Sequence, residues 1–267
     1  MTDSTGRPAG RPTGWPEGTR HALFSDFDGT LADLIDDPYA ARPAPGVVEA
    51  LTAISESGAA VGLISGRMVT WLQRAVGLEG IVYRGLHGFE RAFGLAEPEP
   101  IPELVPLADE LAAVQAGLRD VAESIPGALF DDKQYAFGVH YRNVEIEGVA
   151  DMVEARCREV ADGHPVVLKP GKMIWEVLPD VHMDKGVALG EEIERAGADS
   201  VIFAGDDAGD VYGFDALDGL AEAGSVNGLR IAVASEGAPA ELLDRADRIE
   251  GEPLALAEFL DTLVAGR

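Results

Sequence analysis

Two aspartates separated by one residue carry the clearest chemical signal in this sequence. The motif Ser25-Asp26-Phe27-Asp28-Gly29-Thr30 directly follows the apolar run Ala22-Leu23-Phe24. Alternate residues of a strand share a face, so Asp26 and Asp28 lie side by side at the strand's end. Such a pair can bind a metal ion, or divide the roles of nucleophile and general acid–base. The same D-x-D-G pattern also occurs in calcium loops and in ordinary turns.

Three further groups of polar residues point to phosphate chemistry. Ser65-Gly66-Arg67 offers a hydroxyl, a backbone N–H and a guanidinium, which together suit a phosphate group. Lys185 lies at a predicted helix start, where its ammonium can neutralise a phosphoryl group during transfer. Asp206, Asp207 and Asp210 place three carboxylates within five residues. Mg²⁺ prefers a few carboxylates together with waters and substrate oxygens.

The elements around these motifs predict an α/β core, a doubly wound parallel sheet. Strand-like and helix-like segments alternate, which is typical of such sheets, and ligands bind there beyond the carboxyl ends of the strands. All the motifs fall at such ends or at a helix start. The predicted strands cover residues 22–24, 60–64, 81–83, 201–204 and 230–233, and the first helices cover residues 46–57 and 69–76.

The middle of the chain predicts a separate α+β insert. Helical patterns cover residues 107–124 and 147–161, and strand-like runs cover 136–142, 166–169 and 172–178, the last two forming a hairpin. Tyr135, Phe137, Val139 and Tyr141 share one strand face, which predicts the core of the insert; His140 and Arg142 share the other. We therefore expect a disordered tail over residues 1–20, a core over 21–106 and 184–267, and an insert over 107–183.

Composition excludes several classes of partner. Lys and Arg number 21 and Asp and Glu 47, so the net charge of −26 argues against binding to nucleic acid or to an anionic membrane surface. The single cysteine, Cys157, cannot form an intrachain disulfide and is expected to be a packing or surface thiol. No apolar run reaches the ~18 residues of a membrane span. We expect a soluble, cytoplasmic, monomeric protein.

The order of the motifs resembles the haloacid dehalogenase superfamily of aspartate-nucleophile phosphatases, and the insert resembles its C2-type cap. Within that superfamily, the chain resembles the trehalose-6-phosphate phosphatase family. The second resemblance depends on the shared core motifs together with segments outside them. The residues that carry it are 26–31, 63–67, 85–90, 139–143, 175–179, 184–186 and 205–210.

This resemblance implies a role for each core motif. Asp26 would be the nucleophile, and Asp28 would protonate the leaving sugar oxygen and then activate water. Mg²⁺ would be held by Asp26, the backbone carbonyl of Asp28 and Asp206, while Asp207 and Asp210 would position its waters and Lys185. The phosphoryl oxygens would be bound by Thr30, Ser65, Gly66, Arg67 and Lys185.

The insert would recognise the sugar, and a solvated strand face is the alternative interpretation of its charged residues. The implied sugar-binding residues are Asp131, Lys133, Arg142 and Glu176, with His87 and Glu90 of the core as further contacts. Four residues depart from the family pattern: Asp131 stands for Glu, Leu178 for Arg, Gly209 for Thr and Val211 for Glu.

The implied activity is Mg²⁺-dependent hydrolysis of trehalose 6-phosphate, a small-molecule sugar phosphate, to trehalose and phosphate. Three alternatives stay open at this point. The chain could act on another sugar phosphate, such as sucrose, mannosylglycerate or hexose phosphate, because the core motifs do not determine the sugar. It could be a phosphomutase, or a regulatory domain without catalytic activity.

Overall fold

A computed structural model of the chain describes residues 14–35, 37–171, 173–235 and 237–265. It divides into two compact units: a larger one that contains the chain up to Glu99 and from Met183 onward, and a smaller one over Pro100–His182. The smaller unit begins seven residues before the predicted insert, because a 3₁₀ helix over Pro102–Leu107 leads directly into its first long helix.

The secondary-structure elements are numbered here along the chain. The strands are β1 (His21–Ser25), β2 (Ala60–Ile64), β3 (Val82–Gly85), β4 (Glu90–Phe93), β5 (Glu99–Pro100), β6 (Leu129–Asp132), β7 (Phe137–His140), β8 (Val166–Gly171), β9 (Ile174–Pro179), β10 (Ser200–Gly205), β11 (Asn227–Val233) and β12 (Arg248–Glu250). The helices are α1 (Val47–Glu56), α2 (Val69–Val76), α3 (Ala108–Glu123), α4 (Val149–Ala161), α5 (Lys185–Ala196), α6 (Ala208–Glu222), α7 (Ala240–Arg245) and α8 (Pro253–Ala265).

The larger unit is built on one eight-stranded sheet in the order β12-β11-β10-β1-β2-β3-β4-β5. The first six strands in this order, from β12 through β1 to β3, run parallel to one another. Strand β4 pairs antiparallel with β3. The central strands are buried on both faces, which is why they have the continuous apolar sequences of parallel strands. The predicted α/β class and parallel sheet are confirmed, whereas β4, β5 and β12 were not predicted.

Helices cover both faces of this sheet and enclose two apolar layers. Leu51 of α1, Leu72 of α2 and Leu260 of α8 lie in the layer on one face. Leu189 of α5 and Phe214 of α6 lie in the layer on the other face. This arrangement is doubly wound, and it leaves the carboxyl ends of the parallel strands as the edge where ligands bind in such folds.

The smaller unit packs two helices on one face of a four-stranded antiparallel sheet in the order β6-β7-β9-β8. Phe137 and Val139 are buried in its core, with Tyr135 and Tyr141 packed against it, as their shared strand parity predicts. Cys157 of α4 is fully buried in the same core, so the expectation of a packing thiol is confirmed. Strand β6 was missed by the sequence pattern.

The N-terminal segment differs in part from the expected tail. Residues 1–13 lie outside the described residues, but residues 14–20 contact the larger unit. Asp199 accepts hydrogen bonds from the backbone N–H groups of Thr19 and Arg20, both at 2.8 Å. These donors lower the pKa of Asp199 to about 2. Among the residues that the structure describes, no helix is long and apolar enough to cross a membrane.

Candidate active site

Three of the predicted motifs meet at one edge of the large sheet. Strand β1 lies between β2 and β10, with Ser25 opposite Leu63 on one side and Ala204 on the other. Asp26 follows β1, and its backbone N–H donates to the carbonyl of Ala204 at 2.9 Å. Because the three strands are parallel, the residues that follow them share the same carboxyl edge.

Lys185 is the centre of an acidic cluster at this edge. Its Nζ lies 2.9 Å from Asp26 Oδ2, 2.8 Å from Asp210 Oδ1 and 3.3 Å from Asp207 Oδ1. One carboxylate oxygen from each of these aspartates lies within 4.8 Å of the others. Lys185, Asp26 and Asp210 are almost completely buried, so water screens their charges little.

Burial and charge shift the pKa values in this cluster. Burial raises the pKa of Asp26 to about 6, although Lys185 opposes the shift. Burial also raises the pKa of Asp210, again against the effect of Lys185. For Lys185 itself burial disfavours the ammonium, but the three carboxylates outweigh it and raise the pKa well above its ordinary value. Lys185 is therefore a permanent cation within this cluster.

Asp206 lies apart from the Lys185 cluster and is held by two hydroxyls. Thr30 Oγ1 donates to its Oδ1 at 2.9 Å, and Ser235 Oγ donates to its Oδ2 at 2.7 Å. Gly29 has a φ of +74°, and a methyl group on it would overlap the Asp206 carboxylate. Only glycine therefore allows the backbone after Asp28 to approach Asp206 this closely.

The start of α6 explains the spacing of the Gly205–Asp210 motif. Asp207 caps the helix, with its Oδ1 accepting from the N–H of Gly209 at 2.8 Å. Asp210 Oδ2 accepts from the N–H groups of Asp206 and Asp207 at 2.9 and 3.0 Å. Gly209 and Val211 are the residues here that depart from the family pattern. Gly209 donates to the helix-capping Asp207 through its backbone N–H, and Val211 packs against the apolar layer under α6.

Asp28 is paired with Arg67. The Arg67 Nε lies 2.7 Å from Asp28 Oδ2, and its Nη2 lies 2.6 Å from Oδ1. The guanidinium also stacks on the ring of Trp71, 3.9 Å from the ring centre, and Trp71 packs edge-on against Phe27. The side chain predicted to bind phosphate is thus in contact with the predicted acid–base, and its phosphate role stays a prediction.

His87 lies directly over the Ser65-Gly66-Arg67 motif. Its backbone N–H donates to the carbonyl of Ser65 at 2.9 Å, and a methyl group on Gly66 would lie 2.8 Å from its imidazole. Leu86 and His87 both have positive φ, of 51° and 59°, which is uncommon for residues other than glycine. His87 is thus held beside the backbone that is expected to bind phosphate.

Glu90 is turned inward, which differs from the expected sugar contact. It is 1% exposed, and its Oε1 accepts from the N–H of Val69, the first residue of α2. A carboxylate at this place satisfies a free N–H and the positive end of the helix dipole. Burial raises the pKa of Glu90, and the Val69 hydrogen bond opposes that shift. The structure therefore gives Glu90 a helix-capping role.

Three of the four predicted sugar-binding residues of the smaller unit, Asp131, Lys133 and Glu176, cluster at the open face of its sheet. Asp131, Gly138 and Glu176 are directly opposite one another on β6, β7 and β9, so they share that face. Lys133 Nζ lies 3.4 Å from both Asp131 Oδ2 and Glu176 Oε1. His140 is 3.6 Å from Asp131, whereas Arg142 is exposed in the turn after β7.

The oxygen ligands at the sheet edge suit a hard divalent cation. Four carboxylates, of Asp26, Asp206, Asp207 and Asp210, lie at this edge, and only the last two and Asp26 contact the ammonium of Lys185. Burial raises the pKa values of Asp206 and Asp26 to about 6, because an ionised carboxylate is disfavoured away from water. The turn that follows Asp28 approaches the Asp206 carboxylate at Gly29, where a methyl group would overlap it. Magnesium prefers such oxygen donors, so the residues present fit that ion.

Two residues of this site were missed by the sequence analysis. Ser235 follows β11 and contacts Asp206, but it belongs to no local motif. The one feature of the sequence that could have indicated Ser235 is its position two residues after a predicted parallel strand. Trp71 lies on α2 and contacts Arg67, and its spacing there does not distinguish it from an ordinary core residue.

The chain is similar to proteins of one family. The profile of the family described as Trehalose-phosphatase matches residues 24–240. A trehalose-phosphate phosphatase of Mycolicibacterium paratuberculosis is 35% identical over 221 residues, covering 81% of this chain and 55% of the relative. That of Mycobacterium leprae is 36% identical over 207 residues, covering 73% and 47%. The chain thus spans about half the length of these curated relatives.

Solved structures share the fold at lower identity. A trehalose-6-phosphate phosphatase of Aspergillus fumigatus superimposes with a TM-score of 0.64 at 23% identity, covering 93% of both chains. The C-terminal domain of a trehalose synthase regulatory protein of Candida albicans also gives 0.64, at 12% identity over 93% of this chain and 94% of that one. At these identities the likeness establishes the fold alone.

Proposed function

The chain belongs to the trehalose-phosphatase family, and on that basis we propose that it is a Mg²⁺-dependent phosphatase that hydrolyses trehalose 6-phosphate to trehalose and phosphate. The family suggested by the sequence motifs is confirmed, and the fold is the haloacid dehalogenase-like fold with an inserted cap. The observation that carries the proposal is the buried Asp26 carboxylate beside Lys185, with Asp28 two residues away.

Asp26 is the nucleophile in this proposal. Its Oδ2 lies 2.9 Å from Lys185 Nζ, and this ammonium and a backbone hydrogen bond from Phe27 both work against the rise in its pKa that burial causes. Attack by Asp26 on phosphorus forms an aspartyl-phosphate and breaks the bond between phosphorus and the sugar oxygen. Lys185 lies close enough to stabilise the negative charge of the transferring group. Ser65, Gly66 and Thr30 complete the proposed phosphate-binding edge, with Thr30 contributing its backbone because its hydroxyl donates to Asp206.

Asp28 is the proposed acid and base. It gives a proton to the departing sugar oxygen, and then takes a proton from the water that attacks the aspartyl-phosphate and releases phosphate. Its bidentate pair with Arg67 suits the ionised form that the second step requires. In the first step Asp28 carries the proton that it gives to the sugar oxygen, and Arg67 is also a proposed ligand of the substrate phosphate.

Mg²⁺ is the proposed cofactor, held by Asp26, the carbonyl of Asp28 and Asp206, with Asp207 and Asp210 supporting Lys185. When bound, the ion supplies positive charge against the phosphoryl oxygens. The side chains of Asp131, Lys133, Arg142 and Glu176 are the proposed sugar contacts, since charged groups can each bind several hydroxyls. His87 is a further candidate beside Gly66.

A phosphate-release assay over a panel of sugar phosphates tests this function. We expect trehalose 6-phosphate to be hydrolysed with the highest kcat/KM, in a reaction that EDTA abolishes and Mg²⁺ restores. A preference for sucrose 6-phosphate or glucose 6-phosphate would reassign the substrate. Isomerised sugar phosphate without phosphate release would indicate a phosphomutase. No turnover on any member would favour a regulatory domain, a class that shares this fold in Candida albicans.

The cysteine content bears on the compartment in which the enzyme acts. A reducing compartment suits a chain with one cysteine, and this leads us to propose a cytoplasmic enzyme. We further propose that it is a monomer. Size-exclusion chromatography with light scattering gives the mass directly. A mass near 28.1 kDa is expected for a monomer of this chain.

A further inference from the structure

We propose that Ser235 is a positioning residue that fixes the Asp206 carboxylate for a divalent cation, an inference that rests on the proposed function. Ser235 Oγ donates to Asp206 Oδ2 at 2.7 Å. Thr30 Oγ1 donates to the other oxygen, Oδ1, at 2.9 Å. Asp206 itself is 4% exposed, so few waters compete for these bonds. Each oxygen of one buried carboxylate is therefore held by one hydroxyl.

The two hydroxyls come from opposite sides of β10. Thr30 belongs to the turn after β1, and Ser235 follows β11, and these two strands flank β10 in the sheet. Ser235 is itself fixed by the backbone, because its N–H donates to Val233 at 2.9 Å and its carbonyl accepts from Ala238 at 3.1 Å. The carboxylate is thus oriented from both sides by anchored groups.

Asp206 differs from the other carboxylates at this edge because both donors described for its side chain are neutral. Asp26, Asp207 and Asp210 share the ammonium of Lys185. In the part of the chain that the structure describes, no lysine or arginine pairs with Asp206. A hydroxyl orients a carboxylate without cancelling its charge and leaves further lone pairs on each oxygen. Groups that hold a ligand in this way support metal binding without contacting the metal.

The test is calorimetric titration of the full chain with MgCl₂ in the absence of substrate. Ser235→Ala removes the donor and is expected to weaken Mg²⁺ binding by about 10- to 100-fold. Ser235→Thr keeps a hydroxyl and should restore an affinity close to that of the wild type. Ser225→Ala is the matched control, because it removes an exposed hydroxyl elsewhere in the same unit.

Two further measurements separate positioning from folding. The melting temperature in EDTA should be nearly the same for wild type and Ser235→Ala, since the substitution creates no large cavity. In the phosphatase assay, the Mg²⁺ concentration for half-maximal activity should rise, while kcat at saturating Mg²⁺ should recover. A Ser235→Ala protein that binds Mg²⁺ as tightly as the wild type would overturn the inference, as would equal losses in the Ala and Thr variants.

The outcomes also distinguish this inference from the proposed function. Wild-type protein that hydrolyses trehalose 6-phosphate while Ser235→Ala keeps full Mg²⁺ affinity overturns only the role of Ser235. Weakened binding in Ser235→Ala, together with no phosphate release by the wild type, supports the positioning role and overturns the phosphatase. Wild-type protein that binds no Mg²⁺ overturns both.

Discussion

The Arg67 guanidinium contacts both carboxylate oxygens of Asp28, with its Nε 2.7 Å from Oδ2 and its Nη2 2.6 Å from Oδ1. This fork-to-fork geometry is the strongest form of a guanidinium–carboxylate contact. Stacking on Trp71 at 3.9 Å restricts the guanidinium further. The proposed acid–base is therefore oriented by a residue that the sequence alone assigns to phosphate, and the two roles can be separated by experiment.

Replacing Arg67 should affect substrates according to their leaving group. In Arg67→Ala the carboxylate of Asp28 loses its orientation, so hydrolysis of trehalose 6-phosphate, which needs a proton donor, should fall by about 100-fold or more. Hydrolysis of p-nitrophenyl phosphate should fall less, because nitrophenolate leaves without a proton. Steady-state phosphate release measures both. Equal losses on the two substrates would show that Arg67 acts on the phosphate alone.

Asp26→Asn should abolish turnover and leave the fold intact. The amide cannot attack phosphorus, whereas Lys185 keeps its contacts with Asp210 at 2.8 Å and Asp207 at 3.3 Å. Burial raises the pKa of Asp26 to about 6, so removing this costly buried charge should not lower the melting temperature. Asp33→Asn, at an exposed site, is the control for charge. Phosphatase activity retained by Asp26→Asn would exclude Asp26 as nucleophile.

The parallel core could be predicted because its physics is local and repetitive. Buried parallel strands such as β1 and β10 are continuous apolar runs, and the residues that follow them meet at one edge whatever the sheet order. The antiparallel additions gave weaker signals. Strand β6, with two aspartates and half-exposed side chains, has neither a continuous apolar run nor clean alternation, and β5 is only two residues long.

The site was predictable where its residues follow strands in motifs, and less so where tertiary contacts set the orientation. Asp26 and Lys185 come together from distant positions because both lie at the carboxyl edge. Ser235 is an isolated serine whose role depends on a partner 29 residues away. Glu90 lies in a motif, but its direction depends on the N-terminus of α2, and no local pattern encodes that. Secondary-structure propensity and residue spacing do not specify tertiary contacts such as those of Ser235 with Asp206 and of Glu90 with the start of α2.

Lys133→Ala should weaken recognition of the sugar without affecting phosphate chemistry. Its ammonium bridges Asp131 and Glu176, each at 3.4 Å, on the open face of the cap sheet. We expect KM for trehalose 6-phosphate to rise about 10-fold, the effect of losing one or two hydrogen bonds to a charged group. The kcat/KM for p-nitrophenyl phosphate should change little.

The control for Lys133 is Arg158→Ala on α4, which removes one exposed positive charge from the same unit. It should leave both substrates unaffected. If Lys133→Ala instead lowered activity on both substrates alike, its role would be in folding of the cap and not in sugar binding.

Cys157 should be chemically inert in the folded protein. It is fully buried, and burial raises the pKa of its thiol to about 12, so the reactive thiolate is scarce at neutral pH. Ellman's reagent at pH 8 should label no thiol in the native chain and one thiol per chain in guanidinium chloride. Rapid labelling of the native protein would contradict the packed core around α4.

Glu90→Gln should change how stability depends on pH. Burial raises the pKa of Glu90 above its ordinary value of 4.5, so the folded chain binds this proton more tightly than the unfolded chain. By linkage, the contribution of Glu90 to stability is greatest below about pH 4.5. It decreases as the pH rises from there through the raised pKa of Glu90 in the folded chain. Glutamine does not titrate, yet its side-chain oxygen can still accept from Val69.

The melting temperature of Glu90→Gln should therefore rise relative to that of the wild type between pH 4 and pH 7. Each 1 kcal/mol corresponds to about 2–4 °C in a protein of this size. Glu97→Gln, at an exposed site, corrects for the general loss of one negative charge. The part of the melting-temperature difference that varies with pH reports the titration of Glu90. Any fixed cost of replacing the carboxylate at the helix start shifts the melting temperature equally at every pH. A difference that stays constant across this range would show that Glu90 is already ionised without penalty.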